Sequence, residues 1–325
     1  MIITQTPLRI SFAGGGTDLR EFYKTEPGAV VSTAIDKYIY VIIKQLFDTK
    51  IRVGYSRTEM VDTIDEVQHE LVRECLRKTG ITNSVEISTM GDIPSEGSGL
   101  GSSGSVTVGL LNAMYAYQGE IRTASELARE ACEIEVDVLG MVSGKQDQYI
   151  AAFGNVRLIE FFPNEEVTVK PIPLGDDERQ RLGENLLLFY TGVTRRSSDI
   201  LEEQMNTTAT KLHILRSMKQ QAYAVAESIS SRDFARIGVA LDESWQQKKK
   251  MASRISNSEI DEMYDKARGA GALGGKIAGA GGGGFLLLYC PPECRAAVRS
   301  ILAAFRELAF NLERDGTKVI FNARR

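Results

Sequence analysis

Three short glycine-rich runs punctuate this chain of 325 residues, and the second of them restricts the possible folds most strongly. It spans residues 94–105 and lies between a predicted strand (84–89) and a predicted helix (102–118). Glycine allows sharp turns and lets a ligand approach the backbone closely. A helix N-terminus adds unpaired N–H groups and the positive end of a dipole. The run therefore predicts an anion site suited to a triphosphate.

Two common nucleotide-binding patterns do not fit this run. A Walker A loop ends in Gly-Lys-Ser/Thr, and no lysine follows these glycines. A Rossmann fingerprint needs a conserved glycine spacing and an acidic residue about twenty positions later, which are also missing. The alternative to an anion site is a flexible linker. However, Pro94 and Leu100 are not typical linker residues, and the run lies directly between two regular elements.

Two carboxylates downstream of the second run are expected to share one cleft. Glu135 falls near the end of a predicted helix (123–139), Asp147 opens the next helix, and glycines at 140 and 144 let the chain fold back between them. A carboxylate with serine hydroxyls suits Mg²⁺, which prefers oxygen ligands. Taken alone, however, an aspartate after a glycine is more often a helix cap or a turn residue.

Arg9 is the candidate cation, because it lies on the first predicted strand (2–12) directly before the first glycine run, residues 13–18. Its guanidinium is permanently charged and matches phosphate geometry. A lone arginine on a strand is usually an exposed or paired charge. The third run, residues 278–284, precedes another predicted strand.

The composition is that of a soluble globular protein, with 43% hydrophobic and 25% charged residues. A net charge of −4 argues against general binding to nucleic acid. No apolar run approaches the roughly 18 residues that cross a bilayer, and the first residues do not resemble a signal peptide, so we expect no membrane partner. The four cysteines lack nearby histidines for a zinc site, so we expect reduced thiols and a cytoplasmic location.

The element pattern predicts two domains of an α+β protein. Residues 1–175 alternate strands and helices, and a stretch rich in Pro, Gly and charge at 171–178 marks the boundary. Residues 176–325 give a strand, helices, two strands, a helix (293–310) and a last strand (317–322). That is the ferredoxin-like order with extra helix inserted.

The three glycine runs, in this order and spacing, resemble the three motifs of the galactokinase–homoserine kinase–mevalonate kinase–phosphomevalonate kinase (GHMP) superfamily. The resemblance covers the whole chain. It implies a two-lobed fold, with an N-terminal lobe like domain 2 of ribosomal protein S5, a ferredoxin-like C-terminal lobe and the active site between them. It also implies that ATP and Mg²⁺ are the cofactors and that a sugar phosphate is the other small-molecule partner. The sequence leaves the oligomeric state open.

Carried over position by position, the resemblance implies a role for each motif residue. Asp147 and Arg9 would be catalytic, and Ser103 (or Ser102) and Glu135 would bind the metal. Whether Asp147 acts as a base or only orients the hydroxyl stays open. The residues implied to bind ATP phosphates are Gly97, Ser98, Gly99, Leu100, Gly101, Ser102, Ser103 and Gly104.

The first motif bears on the substrate. Asp18 matches the aspartate that grips a sugar hydroxyl, and Gly15, Gly16 and Thr17 flank it. Galactokinases have Glu-His where this chain has Gly15-Gly16, which makes galactose itself a poorer candidate. A kinase of another sugar (fucose, galactose or a uronic acid) and a non-catalytic sensor are the alternatives.

Within the superfamily the chain looks most like D-glycero-D-manno-heptose 7-phosphate kinases. The implied reaction is phosphorylation of the anomeric C1 hydroxyl to the 1,7-bisphosphate. A substrate phosphate needs cations, and Arg195 and Arg196 are the candidates at a strand end before a helix. The basic run Lys248–Lys250 is a further candidate, although such runs usually face water.

Overall fold

A computed structural model describes residues 1–94, 97–193 and 197–323. The strands are β1 (Ile2–Ala13), β2 (Gly28–Gln45), β3 (Ile51–Gly54), β4 (Thr58–Val61), β5 (Val85–Gly91), β6 (Val156–Phe161), β7 (Val167–Pro171), β8 (Leu186–Tyr190), β9 (Gly274–Ile277), β10 (Phe285–Tyr289) and β11 (Lys318–Asn322). The helices are α1 (Arg20–Tyr23), α2 (Glu70–Thr79), α3 (Ser102–Gln118), α4 (Ala124–Cys132), α5 (Gln146–Phe153), α6 (Asp176–Glu184), α7 (Ser197–Thr207), α8 (Leu212–Ser230), α9 (Ala235–Lys248), α10 (Ser258–Gly269) and α11 (Arg295–Ile301). The predicted α+β class is confirmed.

The larger sheet is built around β2, which pairs with β1, β5 and β6. The sequence predicts two strands here, at 28–35 and 38–46, whereas the structure has one. The pairing with β1 jumps from Ile35 to Tyr38, so Asp36 and Lys37 form a bulge. A bulge leaves the strand continuous but breaks its side-chain alternation.

Helix α3 packs against β1 and β2 and carries the site at its N-terminus. Its residues are apolar or small nearly all round, as expected of a helix in the interior. The helix ends at Gly119, whose left-handed φ of 90° lets its N–H bond back to the last turn. Its predicted bounds, 102–118, are confirmed.

The smaller sheet has the order β8-β10-β9, and the prediction for its last strand is wrong. Strand β11 pairs with β1 in the larger sheet, where it covers an edge that would otherwise expose unpaired backbone groups. The place beside β8 is taken by the segment 306–308, whose Leu308 N–H donates to the Leu188 carbonyl at 2.8 Å. The predicted helix 293–310 therefore ends at Ile301, because the chain must extend to reach β8.

Helix α8 contributes residues to both hydrophobic cores. Its first half contributes Leu215 and Met218 to the core of the smaller sheet, and its second half contributes Val225 and Ile229 to the core of the larger one. A domain boundary near residue 175 remains a prediction, with the qualification that β11 lies in the larger sheet. Throughout the described ranges, every helix is too short or too polar to span a membrane.

Candidate active site

A cavity of about 550 Å³ lies where the three glycine runs meet. Residues of β1, the N-terminus of α3, the start of α5, α7, the end of α9 and β9 line the cavity. The sequence predicts that these runs share a site, and the structure brings them together.

The second and third runs touch backbone to backbone. Gly99 has a left-handed φ of 72°, and a Cβ on Gly279 would lie only 2.7 Å from the Gly99 Cα. Gly101 precedes α3 with a φ of 79°, and the helix has no side-chain cap. The first N–H groups of α3 are therefore left for a ligand, as predicted for a triphosphate site.

Two members of the second run support the site from behind. Leu100 is fully buried, and its carbonyl accepts a hydrogen bond of 2.9 Å from the Arg9 N–H. Gly104 faces α5, where a Cβ would lie 3.0 Å from the Asp147 Cβ. Neither residue lines the cavity, so each can serve phosphate binding only by shaping the loop and the helix approach.

Arg9 and Asp147 form a bidentate pair at the cavity wall. The Arg9 Nε and Nη2 atoms donate to the Asp147 Oδ1 and Oδ2 atoms at 2.7 Å each. The remaining nitrogen, Nη1, donates to the Gly99 carbonyl at 2.6 Å. The Arg9 side chain is 5% exposed and that of Asp147 17%. The sequence identified both residues but not their pairing, which fixes the carboxylate at the edge of the phosphate loop.

Asp18 is buried and held from two sides. Its Oδ1 accepts from the Gly16 N–H at 2.9 Å, and its Oδ2 accepts from the Gln146 Nε2 at 3.1 Å. Burial and the nearby Asp147 carboxylate raise the pKa of Asp18. Gly144 passes so close that any Cβ there would overlap the Asp18 carboxylate. Thr17 is fully buried and does not line the cavity, and its hydroxyl donates to the Gly14 carbonyl at 2.8 Å.

Glu135 lies in a π-helical turn, Glu133–Val138, where the sequence predicts ordinary helix to residue 139. Such turns are rare and often occur at functional sites. The Glu135 side chain is fully buried, and neither of its oxygens has a hydrogen-bond partner. Burial raises its pKa to about 7, against the opposing influence of the nearby Thr107 and Gln148 side chains.

An unpartnered buried carboxylate is costly unless a cation accompanies it. In the parts of the chain described, no three His, Cys, Asp or Glu side chains gather as a metal cage. Mg²⁺ does not need one, since it keeps several waters and shares its ligands with phosphate oxygens. Glu135, with the neighbouring Ser103, fits that chemistry.

The sequence analysis did not identify Lys276 as a site residue, and it left open whether Lys248 lies in the site or faces water. Lys276 of β9 and Lys248 at the end of α9 both line the cavity. By contrast, Lys249 pairs with Asp261 at 3.3 Å, and Lys250 is exposed. A lysine within the buried strand Gly274–Ile277 was the available signal, because such a charge is rarely buried without a role. The predicted phosphate ligands Arg195 and Arg196 lie outside the described residues.

Comparisons with known proteins place these features in context. The family description "GHMP kinases N terminal domain" matches residues 66–155, and "GHMP kinases C terminal" matches residues 224–307. The chain is 32% identical over 308 residues to the D-glycero-alpha-D-manno-heptose 7-phosphate kinase of Campylobacter jejuni, covering 90% of both proteins.

Solved structures agree in fold. The crystal structure of a D-glycero-D-manno-heptose 1-phosphate kinase from Bacteroides thetaiotaomicron is 26% identical, with a TM-score of 0.82 and coverage of 100% of both chains. The galactokinase of Lactococcus lactis, complexed with galactose, is 18% identical with a TM-score of 0.77, covering 98% of this chain and 94% of that one. Because the galactokinase is only 18% identical to this chain, its similarity bears on the fold alone.

Proposed function

The chain belongs to the GHMP kinase family, and from this premise we propose that it phosphorylates the anomeric C1 hydroxyl of D-glycero-D-manno-heptose 7-phosphate, giving the 1,7-bisphosphate. The predicted enzyme class, an ATP-dependent sugar kinase with an alcohol group as acceptor, is confirmed by the family and its relatives. The heptose assignment draws its support from the Campylobacter relative, which is named for that substrate.

The phosphate loop would hold ATP. Backbone N–H groups at Gly97, Gly99 and the start of α3 would bind the phosphates, with Ser98 and Ser102 hydroxyls beside them. Ser103 and Glu135 would hold Mg²⁺, which supplies positive charge to the phosphate oxygens when it is bound.

Asp147 would accept a hydrogen bond from the attacking C1 hydroxyl and aim it at the terminal phosphate. The fork of Arg9 keeps the carboxylate in that orientation while it holds the Gly99 carbonyl of the loop. This pair of contacts is the observation that carries the proposal, because it couples the acceptor-orienting group directly to the phosphate loop. Phosphoryl transfer depends mainly on such positioning and on charge.

The sugar would lie against the first glycine run. Asp18 would grip a sugar hydroxyl, and Gly15 and Gly16 leave room for the ring because they carry no side chains. Ser11 Oγ and Gln204 Nε2 are buried beside the cavity without hydrogen-bond partners, so they can take further hydroxyls. Arg195 and Arg196 remain proposed ligands of the substrate phosphate.

The test is ADP release from ATP and Mg²⁺ with a panel of acceptors. The panel contains the heptose 7-phosphate, the heptose 1-phosphate, mannose, galactose and fucose, with a no-sugar control. We expect a strong preference for the 7-phosphate and a product phosphorylated at C1 by ³¹P NMR. Preference for the 1-phosphate would follow the Bacteroides relative's name and overturn the proposed acceptor position. Preference for an unphosphorylated sugar would overturn the heptose phosphate itself.

A further inference from the structure

We propose that Lys248 and Lys276 together bind the phosphate that the sugar substrate already carries, so that the cavity selects an anionic sugar. The inference rests on the proposed function and deepens it, because it assigns the substrate's charged group to a part of the site. It adds Lys276, which lies in β9 just before the third glycine run, to the substrate-binding residues.

The two ammonium groups enter the cavity from different elements. Lys248 is the last residue of α9 and is 7% exposed, and Lys276 lies in β9 and is 3% exposed. The Lys248 Nζ donates to the Gly279 carbonyl. Within the described residues neither lysine forms an ion pair, and Lys276 has no hydrogen-bond partner for its side chain. Each therefore retains donors for a ligand.

A purely structural role does not explain why both lysines are buried. Burying a charge without a counter-ion is costly, and an apolar side chain of similar size would serve packing better. Burial and then the nearby Arg9 lower the pKa of Lys248 to about 8. Burial and then Lys248 lower the pKa of Lys276 well below its ordinary value. Asp18 offsets part of this cost, and an anion bound beside the two groups would offset more of it.

The position favours the sugar phosphate over the ATP phosphates. The charged groups that act on both lysines are Arg9 and Asp18, and Asp18 is the residue proposed to grip the sugar. The ATP phosphates have their own donors in the N–H groups at the start of α3. The two lysines belong to α9 and β9 and are not part of that helix N-terminus.

Kinetics of Lys248→Met and Lys276→Met test the assignment. Methionine is one atom shorter than lysine but is also unbranched, and it removes the charge, so the fold is expected to persist, which circular dichroism checks. Lys250→Met is the matched control, because Lys250 is exposed two residues away from Lys248. Loss of one charge-assisted hydrogen bond predicts a KM for the heptose 7-phosphate about 10- to 100-fold higher in each variant. The KM for ATP should stay unchanged, as should all constants of the control.

Two results would overturn the assignment. One is an unchanged KM for the heptose phosphate in both variants. The other is an effect confined to the KM for ATP, which would show that the lysines bind the terminal phosphate of the nucleotide instead.

A binding measurement separates this inference from the proposed function. If the wild-type enzyme does not use the heptose phosphate, the proposed function fails, and the lysines are then tested with inorganic phosphate. The nucleotide site is first saturated with Mg²⁺ and a non-hydrolysable ATP analogue, and phosphate binding is followed by calorimetry. Binding by wild type and Lys250→Met that is lost in both pocket variants supports the anion site. Equal binding by all four proteins, or binding by none, overturns it.

Discussion

Arg9 and Asp147 connect the first strand to the first turn of α5 through two hydrogen bonds of 2.7 Å, on the rim of the phosphate loop. The geometry makes Asp147→Asn an informative change, because asparagine keeps the shape but loses the charge and one acceptor. We expect turnover to fall by about 10²- to 10⁴-fold while the affinity for ATP is retained. Steady-state kinetics and nucleotide binding by calorimetry measure the two effects separately. Turnover near that of wild type would remove Asp147 from the mechanism.

Gly144 is predicted to be irreplaceable for a steric reason. In Gly144→Ala the new methyl group would overlap the Asp18 carboxylate, so Asp18 must shift away from its donors Gly16 and Gln146. Since a small displacement of a positioning group is costly, we expect kcat/KM for the sugar to fall at least about 10-fold. Gly269→Ala is the control, because nothing lies within 4 Å of a Cβ there. Equal activity of the two variants would contradict the proposed sugar contact of Asp18.

Glu135 is expected to control the metal requirement. Glu135→Gln removes the charge of a fully buried carboxylate whose oxygens have no partners, while it preserves the side-chain volume. If Glu135 binds Mg²⁺, the variant needs a higher Mg²⁺ concentration for half-maximal activity, and the loss of one anionic ligand predicts a shift of about 10-fold or more. Glu133→Gln, in the same turn but paired with Lys78 at the surface, is the control. An identical Mg²⁺ dependence in both variants would exclude Glu135 as a ligand.

The parts of the fold that the sequence predicted are those set by local patterns. Helix α3 is one example, because its start after Gly101 and its end at Gly119 are marked by glycines with left-handed φ. The π-turn around Glu135 could not be predicted, since the helical pattern of residues 123–139 does not distinguish a π-turn from ordinary helix. The last strand was misplaced because a strand pattern does not say which sheet edge it joins.

The same distinction applies to the site. The glycine runs, Glu135 and Asp147 could be found from motif spacing, because the chemistry of phosphate binding demands those residue types, and Asp18 could be found from the resemblance to the superfamily. The Arg9–Asp147 pair and the meeting of Lys248 with Lys276 could not, since they depend on contacts between residues far apart in the chain. Lys248 is buried, whereas Lys249 is half-buried and Lys250 is exposed, and three consecutive lysines in the sequence do not reveal that difference.

The burial of Lys248 predicts an unusual result for the ligand-free protein, namely that Lys248→Met raises its melting temperature. The pKa of Lys248 is lowered from its ordinary 10.5 to about 8 in the fold, first by burial and then by Arg9, against the opposing influence of Asp18. Below about pH 8 Lys248 is protonated in both the native and the unfolded state, but the native state binds this proton less tightly. The native state therefore carries the full destabilisation at these pH values. Between about pH 8 and 10.5 Lys248 is deprotonated in the native state but still protonated in the unfolded state. The destabilisation of the native state therefore disappears as the pH rises through this range.

We therefore expect Lys248→Met to melt a few degrees above wild type at pH 7 and the difference to shrink by pH 10, in thermal unfolding without ligands. Lys250→Met should match wild type at both values, because Lys250 is exposed. A saturating anionic sugar should reverse the order at pH 7, since the ligand stabilises only the protein that binds it. A variant that melts lower than wild type without ligand would show that Lys248 stabilises the fold, and its burial would no longer call for a bound anion.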